Sequence, residues 1–185
     1  INALDITELG TVTSGSIAGG SITSATTFPA GHIIKATSNM YNSAESDSFG
    51  STYATVTASG SNHWSHAITD VAASSWVWIV TTFTLRVEST ANAGGAGVKL
   101  NRNLNTDLFP VVTYDLYQWH NPATSGQTGS GISTPVTISW MDKTPITGTN
   151  TYYLKAADYV STTNAYIYSS STSRPFSMEL FEIAQ

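Results

Sequence analysis

The stretch WVWIVTTFTLRVE, residues 76–88, decides how the rest of the chain is read. Side chains of an extended strand alternate between its two faces, so Val77, Ile79, Phe83, Leu85 and Val87 fall on one face. Trp76, Trp78, Val80, Thr82, Thr84 and Arg86 fall on the other. The first set is an ordinary core face. The second is not an ordinary solvent face, because two tryptophans lie side by side on it. FSMELFEI, residues 176–183, repeats the pattern, with Met178 and Leu180 on one side and Phe181 and Ile183 on the other. Antiparallel strands commonly keep one face wet. Both strands therefore predict a second cover, either a neighbouring copy of the chain or a loop of the same copy.

Working outward, HIIKAT, TYATVT, GVKLNR, PVVTYDLYQW, PVTISWM, TYYLKA and AYIYSS are further short β-type runs, separated by Gly, Asn, Ser and Pro clusters. No segment holds a helical period between caps. The expectation is an all-β chain: a jelly-roll-like antiparallel β-sandwich over residues 29–185. A length of 185 residues suits one such domain with an appendage.

Charged residues are only 10% of the chain, far below the usual quarter, and Ser and Thr stand in their place. The net charge is -5 and the seven basic residues are scattered singly. Nucleic acid and anionic membranes demand clustered basic patches, so neither is expected as a partner. Cysteine is absent, which removes disulfides from the account. No apolar run is long enough to insert into a bilayer as a helix. The chain starts at Ile rather than Met and reads as part of something longer.

Residues 1–28 have a different texture. Leu9, Val12, Ile17, Ile22 and Phe28 stand nearly alone among small polar residues, and TVTSGS (11–16) is loosely echoed by SITSAT (21–26). Ordering a residue costs about 1–2 kcal/mol of backbone entropy, more than so few apolar side chains return. One solution is an inter-chain β stem, in which Val12, Ile17, Ile22 and Phe28 meet their counterparts in two other copies and the slim residues allow close approach. Trp76, Trp78, Phe181 and Ile183 would then complete the trimer interface in the head. The other solution is a flexible linker.

GTVTSGSI followed by ITSATTFPAGHII, the strand GVKLNRN (97–103) and the ending SMELFEIAQ resemble the C-terminal regions of tail fibre proteins of tailed bacteriophages, marine phages in particular. The resemblance spans most of the chain and is best anchored at 28–34 and 177–185. It implies a homotrimeric fibre tip that belongs to the virion, is assembled in the host cytoplasm, and continues an N-terminal part of the fibre. Its implied work is recognition of a host-surface polysaccharide or outer-membrane protein. Capsid decoration, a structural connector and a polysaccharide depolymerase are the alternatives.

A glycan hydrolase needs two carboxylates across a cleft. Asp70, Glu88, Asp107, Asp115, Asp142, Asp158, Glu179 and Glu182 are the acids of the head, and they read as solvated surface groups. No catalytic residue, cofactor or metal is expected. In NHWSH (62–66), His63 and His66 fall on opposite faces of a strand, so loop histidines are the plainer reading than a metal site on a three-fold axis. His32 is weaker still. Receptor contact is expected in loops that pair aromatic rings with amides, since a ring covers apolar sugar surface while amides read hydroxyls. The long segment 118–133 supplies Trp119, His120, Asn121 and Gln127. NHWSH supplies Asn62, His63 and Trp64, and SNMYNS (38–43) supplies Tyr41.

Overall fold

In the computed structural model the stretch read first becomes a 14-residue strand, Trp76–Ser89, and the first of two sheets is built around it. Residues 29–41, 45–49, 52–58, 62–89, 94–108, 117–121, 130–158, 163–169 and 176–185 are described. They form β1 (Ile33–Tyr41), β2 (Glu45–Phe49), β3 (Ala54–Thr55), β4 (Thr57–Ala58), β5 (Asn62–His63), β6 (Ser65–Val71) and β7 (Trp76–Ser89). β8 (Gly94–Arg102), β9 (Thr106–Asp107), β10 (Tyr117–Asn121), β11 (Ser130–Asp142), β12 (Gly148–Asp158), β13 (Thr163–Ser169) and β14 (Phe176–Ile183) follow. The fold of the described residues is all-β with no helix, and the two large sheets are antiparallel throughout.

Each large sheet has one long strand whose flank is shared by two shorter ones. β7 pairs with β11 from Val77 to Ser89. On its other side it pairs with β14 over Trp76–Thr82 and with β13 over Thr84–Ser89. β1 and β2 extend those two partners outward. In the second sheet β12 has β8 on one flank and β6 and β3 on the other, and β8 is continued by β10 and β9.

The core lies between the two sheets. Val77, Ile79, Phe83, Leu85 and Val87 are buried on the face the alternation assigns them, in one cluster with Val98, Leu100, Tyr152, Leu154 and Ala156 of the second sheet. Removal of such side chains from water contributes about 1.5–3 kcal/mol each. Thr81 is buried on the same face of β7, and its hydroxyl donates to the Ser177 carbonyl at 2.9 Å, so the polar group is satisfied.

TYATVT is not one strand. Val56 turns fully into the core between β3 and β4, held by the bond from its N–H to the Leu154 carbonyl at 2.8 Å. β6 lies outside the expected strands, and its own register explains why. Four residues from Ile68 to Val71 oppose three from Gly148 to Asn150, and Asp70 takes a positive φ of 53°. That extra residue is a bulge. It breaks the period of two, so both Ile68 and Val71 reach the core although they are three apart.

Candidate functional site

One end of the sandwich is where residue 29 meets the fold, and it can be called the Pro29 end. Gly31 takes a φ of 87°, which suits glycine, and its N–H donates to the Ala184 carbonyl at 2.8 Å. The Ala184 N–H answers to the His32 carbonyl at 2.9 Å. Gly31 and His32 are thus clamped to Ala184.

Just inside this end, one inner-face row of the first sheet runs Lys35, Glu182, Val77, Asp142 across β1, β14, β7 and β11. Both carboxylates are almost fully buried, so the reading of them as solvated acids is corrected. Each reaches across to the second sheet. Asp142 Oδ2 accepts from Arg102 at 2.7 Å and from the Tyr152 hydroxyl at 3.0 Å, while Oδ1 accepts from the Thr144 N–H at 3.0 Å. Glu182 Oε1 accepts from the Ala72 N–H at 2.8 Å, and Oε2 lies 4.0 Å from Lys35 Nζ. Burial, followed by the charge of Asp142, pushes the Tyr152 phenol well above its ordinary pKa, so it stays a donor. In the next inner row His66 Nε2 meets Thr37 Oγ1 at 2.9 Å, and burial lowers the His66 pKa.

The outside of this end has the opposite character. Register places Ala36, Phe181, Trp78 and Met141 in one row across β1, β14, β7 and β11, with Trp76 and Ile183 in the neighbouring row. Trp78 lies against Phe181 with ring centroids 5.2 Å apart, and its Nε1 donates to Ser139 Oγ at 2.8 Å. Lys143 Nζ stands 4.9 Å from the Trp76 ring centroid. Both indoles are half-buried, and Ile183 is 8% exposed. Beyond Val80 the same face turns to Thr82, Thr84, Thr137 and Ser177. Of the large hydrophobics that stand exposed, Ile33, Leu104 and Ile146 all border the Pro29 end, whereas Met40 does not. Leu104 follows Asn103 in the turn between β8 and β9, and both have positive φ, 53° and 65°.

Where β11 and β9 form the edges of the two sheets, a pocket of about 560 Å3 opens beside the Arg102–Asp142 pair. Trp140, Met141 and Leu108 give it apolar wall, and Thr106, Asp107, Lys143 and Thr144 give it polar wall. Asp107 Oδ1 accepts from Asn101 Nδ2 at 2.8 Å and from Lys155 Nζ at 3.3 Å. Partial burial raises the Asp107 pKa, but the Asn101 bond and the Lys155 and Lys99 charges outweigh it and hold the carboxyl below its usual value.

The residues expected to contact a receptor are not gathered in one place. Trp64 is fully buried, with its ring 4.9 Å from Phe176 and 6.4 Å from Tyr41. It is a core residue and is withdrawn as a ligand platform. Tyr41 stacks on it, and its hydroxyl donates to the Ser65 carbonyl at 2.9 Å. Asn62 and His63 lie in β5, paired with Ala58 and Thr57. Trp119, His120 and Asn121 lie in β10, paired with Ala96, Gly95 and Gly94. The supposed long loop 118–133 is thereby shortened to the residues between Asn121 and Ser130. Gln127 lies outside the described residues, as do Val12, Ile17, Ile22 and Phe28. Among the described residues no three His, Cys, Asp or Glu side chains converge as metal ligands would. Sequence reasoning missed the pocket because Trp140 and Asp107 come from different runs, and only the sheet edges bring them together.

No family model matches the chain, and no curated protein matches it.

Proposed function

We propose that this chain is the tip of a homotrimeric tail fibre of a tailed bacteriophage, an adhesin that holds a cell-surface polysaccharide without chemistry. The observation that carries the reading is the apolar exterior of the Pro29 end. Half-buried Trp76, Trp78 and Phe181 and exposed Ile33, Leu104 and Ile146 lie where residues 1–28 lead into the head. Copies joined through that segment would bring these surfaces together at high effective concentration. Apolar side chains left accessible at one end support an interaction site there.

The head is read as a jelly roll. Its eight principal strands are ordered β1-β14-β7-β11 and β6-β12-β8-β10, with the chain passing repeatedly between the sheets, as two Greek keys require. Residues 1–28 are read as the inter-chain stem. Weak individual contacts suffice for such a tip, because three sites per fibre act together.

Light scattering tests the assembly, with a mass three times the 19.6 kDa of one chain expected. A monomer at micromolar concentration overturns the trimer. Labelled protein should also adhere to intact bacterial cells. A trimer that adheres to none points to a structural virion role, and release of reducing sugar from capsule or lipopolysaccharide points to a depolymerase.

A further inference from the structure

We propose that the pocket between the edges of β11 and β9 binds one pyranose unit of a glycan, with the Trp140 indole as platform and Asp107 as hydrogen-bond acceptor. The inference rests on the adhesin reading above and names the site and the ligand within it. The volume, about 560 Å3, falls in the roughly 300–1,000 Å3 range of small-molecule clefts. The apolar lining includes Trp140 and Leu108, and the indole offers a surface for the apolar C–H face of a sugar ring.

The polar wall narrows the ligand class. The Asp107 carboxylate only accepts hydrogen bonds, and the Lys155 ammonium beside it at 3.3 Å only donates them. A cationic ligand would suit the first and oppose the second, and an anionic ligand would do the reverse. Hydroxyl groups both donate and accept, and the Thr106 and Thr144 side chains at the rim do the same. Both protein contacts of Asp107 described above fall on Oδ1, which leaves Oδ2 for a ligand hydroxyl. Asn101 and Lys155 fix the orientation of the carboxylate before any ligand arrives, so little ordering cost remains. Asp142 also borders the pocket, but Arg102, Tyr152 and the Thr144 N–H already engage it.

The test uses the whole chain against an array of bacterial surface polysaccharides and against methyl pyranosides of glucose, galactose, mannose and N-acetylglucosamine. Tryptophan fluorescence and saturation-transfer NMR read the binding. At least one glycan should bind, and both Trp140→Ala and Asp107→Asn should weaken it by about tenfold or more. Trp140 also touches the core, so Asp107→Asn, which keeps shape and the Asn101 bond, decides the matter if the first variant does not fold. Array binding that survives in Asp107→Asn overturns the pocket and leaves the adhesin reading standing. Adhesion to cells with no glycan bound does the same, in favour of a protein receptor. A wild-type chain that binds neither glycan nor cells overturns both.

Discussion

At the Pro29 end the inside and the outside of the molecule have exchanged their usual chemistry. The interior row holds Glu182 and Asp142 with Arg102 and Tyr152 bonded across the sheets, while the exterior carries Trp76, Trp78, Phe181, Ile33, Leu104 and Ile146. Further into the sandwich the order is conventional, with Phe83, Leu85 and Val87 inside and Thr82 and Thr84 outside. The contrast teaches that this end is pinned by directional bonds as well as by apolar burial, for Val77 lies fully buried between the two carboxylates.

The largest test of that contrast removes the interior bond. Asp142→Ala leaves the buried Arg102 guanidinium with the Thr144 carbonyl but no opposite charge and should cost about 3–5 kcal/mol in urea unfolding. The double change Asp142→Leu with Arg102→Met should recover most of it, since a buried pair is often replaceable by matched apolar groups. Next comes the exterior. Trp78→Ser with Phe181→Ser should reduce the scattering mass toward one chain, because central aromatic anchors carry about 2 kcal/mol or more each at an interface. The unfolding midpoint of the separated chain should move little by comparison.

Leu104→Gly sharpens the comparison from the other side. A leucine at positive φ is strained by about 1 kcal/mol, so glycine should stabilise the isolated head by up to that amount while weakening assembly. Calorimetry and light scattering on the same variant separate the two effects. The smallest expected effect is at His66. Its folded-state pKa is depressed by burial, so its contribution is complete above the unfolded value of about 6.5 and is lost as pH falls through the lower folded value. Melting temperature should drop on acidification from pH about 7.5 to 5, and His66→Gln should flatten that dependence.

The faces of β7 were legible from alternation alone, because nothing interrupts its period from Trp76 to Val87. β14 was legible less fully. Met178 and Leu180 do share a face, but Glu182 continues it, and a buried glutamate reads in sequence like any surface acid. Asp142 and Arg102 were hidden for the same reason, since forty residues separate them and only the crossing of β8 and β11 makes them a pair. Trp64 was misread because Asn62, His63 and His66 around it read as a polar loop, and only packing against Phe176 and Tyr41 places its ring in the core. The pocket was illegible for a related cause: it belongs to two sheet edges and to no single run of residues.

The position of β14 has a consequence for biosynthesis. β14, which is made after every other described strand, lies between β1 and the central β7, with eight β1 residues in register against it. Among the described strands β1 has no sheet partner until β14 has been made. Pairing of such distant segments is intrinsically slow. A truncated translation product would therefore expose β1 and the flank of β7 together, and quality control would meet an open edge rather than a smaller version of the finished head.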